Sequence, residues 1–335
     1  MINIIALDGH TLNPGDLNWE GLEALSSFSV FPRTDRNEIL ARAQSADILI
    51  VNKLVLDRPI LAQLPRLKYI CVSATGYNNV DLGFCREKNI PVSNVSGYST
   101  PAVAQHVFAL LFALTNQVEK YNQEVHQGIW SKQNDFAYWH QPIDEIYGKV
   151  MGVYGFGKIG KAVADVALAF GMKVIVHRKN PQKESIEGIE YVSLEDLFSQ
   201  SDVLSLHAPL TEENKGMISL LNLAKMKPTS YLINTARGGL INELALKNAL
   251  ENKRIAGAAL DVLSAEPPPL DHILVGLENC IITPHQAWAS HAARRRLLNE
   301  VVKNVEGYLN GKMRNVVSYW LMVNALAGVI RTLKN

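Results

Sequence analysis

Residues Lys149-Val150-Met151-Gly152-Val153-Tyr154-Gly155-Phe156-Gly157-Lys158-Ile159-Gly160 decide the fold class of this 335-residue chain. The first six read as a buried parallel strand, and Lys158 to Phe170 carries apolar residues at helical spacing up to Gly171. A glycine motif of this form is weak evidence on its own. Here a strand feeds it, a helix leaves it, and Lys173-Val174-Ile175-Val176 follows as a second strand, which completes a dinucleotide-binding βαβ unit. In such a unit Gly155 permits the tight turn, Gly157 lets the backbone approach a pyrophosphate, and Gly160 lets helix and strand pack closely. Phe156, Lys158 and Ile159 complete the loop, and the helix N-terminus faces the phosphate charge. An ordinary glycine-rich turn is the simpler alternative, and it leaves the flanking strands unexplained.

Outward from this unit, two βα series follow one another. The first has strands expected at Ile2–Leu7, Asp47–Val51, Tyr69–Val72 and Pro91–Ser93. The second has six, at Val150–Tyr154, Lys173–His177, Asp202–Leu206, Ser230–Asn234, Ile255–Asp261 and Asn279–Thr283. The pattern predicts an α/β protein of two doubly wound parallel-sheet domains, a Rossmann domain at 100–289 inserted into a second domain made of 1–99 and 290–335. Thr100-Pro101 starts a helix between the series, with Val103, Val107, Leu110, Leu111 and Leu114 on its apolar face. Ser290 to Leu309 forms another, ended by Gly311, that carries the chain back to the first domain.

Composition narrows the class. With 33 Lys+Arg against 32 Asp+Glu and no basic block, nothing points to a nucleic-acid surface or a membrane-seeking face. Cys71, Cys85 and Cys280 are odd in number and far apart, so neither a disulfide framework nor a metal site is indicated. The chain starts directly in a strand, without an export signal, and a cytoplasmic location is expected. Val316 to Ile330 is strongly apolar but is interrupted by Asn324 and falls short of the ~20 residues that span a bilayer. It reads as a helix docked on the protein or on a neighbouring subunit.

In open parallel sheets the ligand crevice lies beyond the carboxyl ends of the strands. Three polar residues stand just past such ends: Arg237, Glu266 and His285. Each has a plainer reading, as a surface pair, a solvated acid or a core histidine. Together they are the groups needed to move a hydride to or from C2 of a 2-keto or 2-hydroxy acid. Arg237 can hold the substrate carboxylate and keto oxygen with forked hydrogen bonds. His285 can exchange a proton with that oxygen, and Glu266 beside it would stabilise the imidazolium and fix the ring.

The runs Asn234-Thr235-Ala236-Arg237-Gly238-Gly239-Leu240-Ile241, Gly257-Ala258-Ala259-Leu260-Asp261-Val262 leading to Glu266-Pro267, and Thr283-Pro284-His285 resemble the D-isomer-specific 2-hydroxyacid dehydrogenases, from about the first strand to about Val316. The resemblance implies that Arg237, Glu266 and His285 are catalytic, with Arg237 and His285 also on the substrate. It implies that the first domain is a flavodoxin-like substrate domain whose loop at Ala74, Thr75 and Gly76 holds the substrate carboxylate through backbone N–H groups. It places His207-Ala208-Pro209 on the adenosine side, Thr235, Ala236 and Arg237 along the cofactor, and Asp261 near the nicotinamide carboxamide. For Asp261 a strand-end hydrogen-bonding role serves almost as well. A homodimer is expected. The opening Leu7-Asp8-Gly9 with Leu12-Asn13-Pro14-Gly15-Asp16, and Asp135-Phe136-Ala137-Tyr138-Trp139, look like the glycerate dehydrogenase and hydroxypyruvate reductase branch. Trp288 stands where the family has small residues.

The implied activity is NAD(P)H-dependent reduction of hydroxypyruvate or glyoxylate to the D-2-hydroxy acid. D-Lactate or another D-2-hydroxyacid dehydrogenase is an alternative, and so is a nucleotide-sensing binding protein similar to the corepressors built on this scaffold. The second strand of the βαβ unit ends in His177-Arg178-Lys179, and Arg178 occupies the position where NAD-specific members carry an acid. A guanidinium there suits a 2′-phosphate, so NADP is the expected cofactor over NAD. If Arg178 and Lys179 are only a solvated pair, both serve.

Overall fold

The computed structural model describes residues 2–179 and 186–318. The chain divides into two compact units, Met1–Ser99 with Ala289–Asn335, and Thr100–Trp288.

Among the described residues, the first unit holds five strands: β1 (Asn3–Ala6), β2 (Ser27–Val30), β3 (Ile48–Val51), β4 (Tyr69–Val72) and β5 (Val92–Ser93). They pair in parallel in the order β2-β1-β3-β4-β5, which is the flavodoxin-like order. Every residue of β3 and β4 is buried, so these interior strands read as unbroken apolar runs. Strand β2 is absent from the sequence expectation. It sits at the sheet edge with Ser27 and Ser29 exposed and Phe28 and Val30 partly buried, and a strand wetted on one side needs no apolar run to mark it.

The His291–Leu309 helix belongs to this unit. The Ser290 hydroxyl accepts from the Ala293 N–H and caps it. Leu297, Leu298, Val301 and Val305 are buried at helical spacing, and the Tyr308 ring stacks on Tyr69 at 4.4 Å. Val316 forms an antiparallel bridge with Ser93, and the Val317 N–H donates to Val92 O. The apolar tail therefore begins extended along β5, and its remainder lies outside the described residues.

On the same helix, Arg294 is buried and grips Asp16 with two bonds, Nη1–Oδ1 at 2.6 Å and Nη2–Oδ2 at 2.5 Å. The Arg294 hydrogen bond, opposed by partial burial, lowers the Asp16 carboxyl to about 2. Because the folded value lies below the ordinary 3.8, the pair's contribution is present above that pH and disappears as pH falls through about 2. We expect Asp16→Asn to unfold a few degrees below wild type at neutral pH. The gap should close on acidification; thermal melts showing a constant gap would remove the ion pair as its cause.

The second unit holds β6 (Val150–Tyr154), β7 (Lys173–His177), β8 (Ile189–Tyr191), β9 (Val203–Leu206), β10 (Tyr231–Asn234), β11 (Gly257–Leu260) and β12 (Cys280–Ile282). All pair in parallel, in the order β12-β11-β10-β9-β6-β7-β8. This is the Rossmann order extended by one strand, and it reverses between β6 and β9. Strand β8 was not expected either. Its three residues, Ile189 to Tyr191, sit half in solvent at an edge. The Thr100–Asn116 helix buries Val103, and packs Val107, Leu110, Leu111 and Leu114 against this sheet. No helix among the described residues is long and apolar enough to cross a membrane.

Candidate active site

The crossover between β6 and β9 brings two loops into contact. Gly155 follows β6 at φ +92°, and a Cβ there would lie 2.6 Å from the Ala208 nitrogen in the loop after β9. Any side chain would part those loops, so glycine is required both for the turn and for the close approach. Gly157 caps the Lys158–Ala169 helix, and a Cβ on it would meet nothing within 4 Å. The backbone there faces open space with the first N–H groups of the helix unsatisfied by any cap side chain. Thr235, past β10, has a buried hydroxyl with no partner among the described residues. Open backbone at a helix start and an orphaned buried hydroxyl fit a dinucleotide lying along these strand ends.

Three other residues expected around that ligand, His177, His207 and Lys179, have defined partners. The Tyr154 and His177 rings stack at 6.0 Å, and His177 Nδ1 lies 3.1 Å from Val192 O. His207 Nε2 is 2.8 Å from Ser205 Oγ, and burial lowers its pKa to about 3, so the ring is neutral at physiological pH. Lys179 pairs with Glu213 at 2.5 Å, both largely exposed. Arg178 is half-buried and has no hydrogen-bond or ion-pair partner among the described residues.

Arg237, Glu266 and His285 follow the carboxyl ends of β10, β11 and β12, which neighbour one another in the sheet. The loop after β10 is braced by buried Asn234, whose Nδ2 donates to Arg237 O at 2.9 Å and whose Oδ1 accepts from the Ala236 N–H at 3.0 Å. Arg237 Nη1 donates to Ala236 O at 2.6 Å, and the guanidinium has no ion pair among the described residues. At Gly238 a Cβ would lie 2.0 Å from the Leu263 carbonyl. Absence of a side chain there lets the turn carrying Arg237 pack directly on the loop carrying Glu266.

That second loop is clamped from outside. Glu243 accepts from the Ser264 N–H at 2.8 Å and from its hydroxyl at 2.7 Å, and buried His272 Nε2 lies 3.2 Å from the same carboxylate. Glu266 Oε1 accepts from the Leu263 N–H at 3.1 Å, and its Oε2 lies 2.6 Å from His285 Nδ1. A carboxylate only accepts, so Nδ1 carries the proton and Nε2 is the basic atom of the neutral ring. Nε2 has no partner among the described residues. The sequence reading missed Asn234, Glu243 and His272 as supports, since nothing local marks them.

Asp261 is 1% exposed, and both oxygens of its carboxylate accept from its own unit. Oδ1 accepts from the Thr283 hydroxyl at 2.6 Å and the Gln286 N–H at 2.9 Å, and Oδ2 accepts from the Ala287 N–H at 2.9 Å. Trp288 is half-buried. In the first unit, Ala74 is buried and Thr75 is exposed. The loop is tied by Asn94 Nδ2 to Thr75 O at 2.7 Å and by the Val95 N–H to Ala74 O at 3.0 Å. The N–H groups of Thr75 and Gly76 have no acceptor among the described residues.

The family profile described as D-isomer specific 2-hydroxyacid dehydrogenase, NAD binding domain, matches residues 108–287. A hydroxypyruvate reductase of Blautia hydrogenotrophica is 44% identical over 322 residues, 95% of this chain and 100% of the relative. A glycerate dehydrogenase of Methylorubrum extorquens is 43% identical over 282 residues, 84% of this chain and 88% of the relative. Among solved structures, the NADPH-dependent glyoxylate/hydroxypyruvate reductase of Sinorhizobium meliloti in complex with citrate is 27% identical with a TM-score of 0.81, covering 95% of this chain and 98% of that one. Similarity of this extent means that the chain belongs to the D-isomer specific 2-hydroxyacid dehydrogenases.

Proposed function

We propose that the protein reduces hydroxypyruvate or glyoxylate to the D-2-hydroxy acid, D-glycerate or glycolate, with NADPH preferred over NADH. The observation that carries this reading is the 2.6 Å bond from His285 Nδ1 to Glu266 Oε2, which turns Nε2 into the atom available for proton exchange. The names of the relatives, hydroxypyruvate reductase and glycerate dehydrogenase, support the substrate class.

Arg237 takes the substrate carboxylate and keto oxygen with its fork, which no acid of its own unit neutralises among the described residues. Protonated His285 gives its Nε2 proton to the keto oxygen in reduction and recovers it in oxidation. Glu266 holds the ring by Nδ1 and offsets the charge of the imidazolium. Gly155, Phe156, Gly157, Lys158, Ile159 and Gly160 hold the pyrophosphate of the cofactor. Thr235, Ala236, His177, Ala208 and Pro209 line the dinucleotide, with neutral His207. Asp261 lies near the nicotinamide carboxamide. When bound, the nicotinamide supplies or accepts the hydride at substrate C2. In the first unit the free N–H groups of Thr75 and Gly76, beside Ala74, are proposed carboxylate donors.

Arg178 carries the cofactor preference. It stands at the end of β7 without a partner among the described residues, whereas Lys179 is already matched by Glu213. Steady-state assays with hydroxypyruvate, glyoxylate and pyruvate against each reduced cofactor test both parts. We expect a higher kcat/KM with NADPH, and a shift of that ratio toward NADH by roughly tenfold or more in Arg178→Asp, the value of one lost charge-assisted contact. A wild-type preference for NADH, or an unchanged ratio in the variant, removes the NADPH assignment. Tight cofactor binding without turnover of any of the three acids removes the activity in favour of a binding protein.

The helix from Pro101 and the aromatic arm with exposed Phe136 and Trp139, 92% and 63% accessible, are the parts proposed for the homodimer contact. Light scattering that gives a monomer mass at assay concentration rejects it.

A further inference from the structure

His106 lies on the Thr100–Asn116 helix, 177 residues from its partner Thr283 in sequence. Its side chain is 18% exposed, and Nε2 is 3.0 Å from Thr283 Oγ1 and 3.5 Å from Asp261 Oδ1. The directions of these bonds follow from what each atom can do. Asp261 has only acceptors, so Thr283 gives its hydroxyl proton to Oδ1. The Thr283 oxygen then has only lone pairs left, so His106 donates through Nε2–H.

The chain of bonds ends on the catalytic turn. Asp261 binds the N–H groups of Gln286 and Ala287 with its carboxylate, and its backbone oxygen accepts from the His285 N–H at 2.8 Å. Residues on both sides of His285 are thus wrapped around one buried acid. His285 itself is left-handed, at φ +51°, a conformation that is strained for a non-glycine residue and needs surrounding bonds to persist. Burial pushes the Asp261 carboxyl up, but the bonds from His106, Thr283, Ala287 and Gln286 outweigh it and hold the group below the usual carboxylate range. The acid therefore stays ionised, as four donors require.

We propose that His106 is a positioning residue of the reaction centre, which through Thr283 holds the Asp261 carboxylate as the template of the left-handed turn that presents His285. This rests on the reading of His285 as the proton donor. If the template loosens, the imidazole departs from its bond to Glu266 and from the substrate oxygen, and misplacement of that order costs roughly tenfold to a hundredfold in rate.

The test uses the full chain in four variants, His106→Leu, His106→Gln, Thr283→Val and the double His106→Leu/Thr283→Val. Glutamine can place an amide N–H near the position of Nε2, and valine keeps the shape of threonine without the hydroxyl. Expected are kcat losses of roughly tenfold or more in His106→Leu and Thr283→Val, with KM and cofactor binding near wild type. Recovery of most of the rate is expected in His106→Gln, and a double variant no worse than the poorer single. Because either variant could lose activity by unfolding, the second measurement is NMR of 15N-labelled imidazoles. The downfield Nδ1 proton that His285 shares with Glu266 should broaden or vanish in both single variants and return in His106→Gln. Wild-type kcat in either single variant, or a retained His285 signal alongside a rate loss that tracks the unfolded fraction, overturns the proposal. Absence of turnover in wild type together with loss of the His285 signal in the variants instead refutes the assigned reaction and leaves the positioning role standing.

Discussion

His285→Ala lowers kcat for keto-acid reduction by about two to four orders of magnitude, the range that a positioned general acid supplies, while reduced-cofactor binding stays near wild type. The reasoning is local. Nδ1 is committed to Glu266 at 2.6 Å, so the proton can leave only through Nε2, and alanine has nothing to replace it. Hydride arrival at C2 then builds an alkoxide without a proton partner. The backbone at this position is left-handed, which alanine tolerates poorly, so His285→Asn is the necessary companion. Asparagine accepts that conformation but is no acid at neutral pH. A comparable loss in both variants, with cofactor fluorescence titrations unchanged, is the expected result. Rates equal to wild type in either would end the assignment of His285 as the acid.

The second large effect is expected at Arg237. Arg237→Lys keeps the charge but loses the planar fork, and with it one charge-assisted bond worth about 1.5–3 kcal/mol. That corresponds to a fall in kcat/KM of roughly tenfold to more than a hundredfold, expressed mainly in KM if the lost bond is to the carboxylate. Because Gly238 seats the Arg237 turn against the Leu263 backbone, a lysine should not disturb the loop, and melting temperature should hold. Steady-state kinetics on the variant with wild-type kcat/KM would show that the guanidinium fork is not used.

The two predictions share a physical premise, that preorganised groups rather than mobile ones meet the substrate. Asn234 fixes the Arg237 loop, Glu243 and His272 clamp the Glu266 loop, and Asp261 shapes the His285 turn. Asn234, Glu243 and Asp261 each bond backbone N–H or C=O of a loop that has no ladder of its own, and His272 holds the Glu243 carboxylate. Without these braces those backbone groups would be left to water and the loops would lose their definition.

Much of this fold was legible because its signals are short-range. Strands β3, β4, β9 and β11 are buried throughout and announce themselves as apolar runs, while the glycine loop marks where the chain must turn between β6 and its helix. Strands β2 and β8 were not legible, because an edge strand half in water carries no such run. The candidate residues Arg237, Glu266 and His285 were legible as polar groups past strand ends. Their wiring was not. Which nitrogen of His285 meets Glu266, and why Gly238 must lack a side chain, are outcomes of how neighbouring strands align.

From the order of residues alone came the βαβ unit, the α/β class and the family, since hydrophobic period, glycine spacing and turn chemistry act over a few residues and leave their imprint in a row. Only the folded sheet decided that His106 meets Thr283 across 177 residues, and that the Asp261 carboxylate is spent on the turn of His285. Those contacts depend on strand register and helix placement, which arise from packing the whole core, and no stretch of chain encodes them by itself.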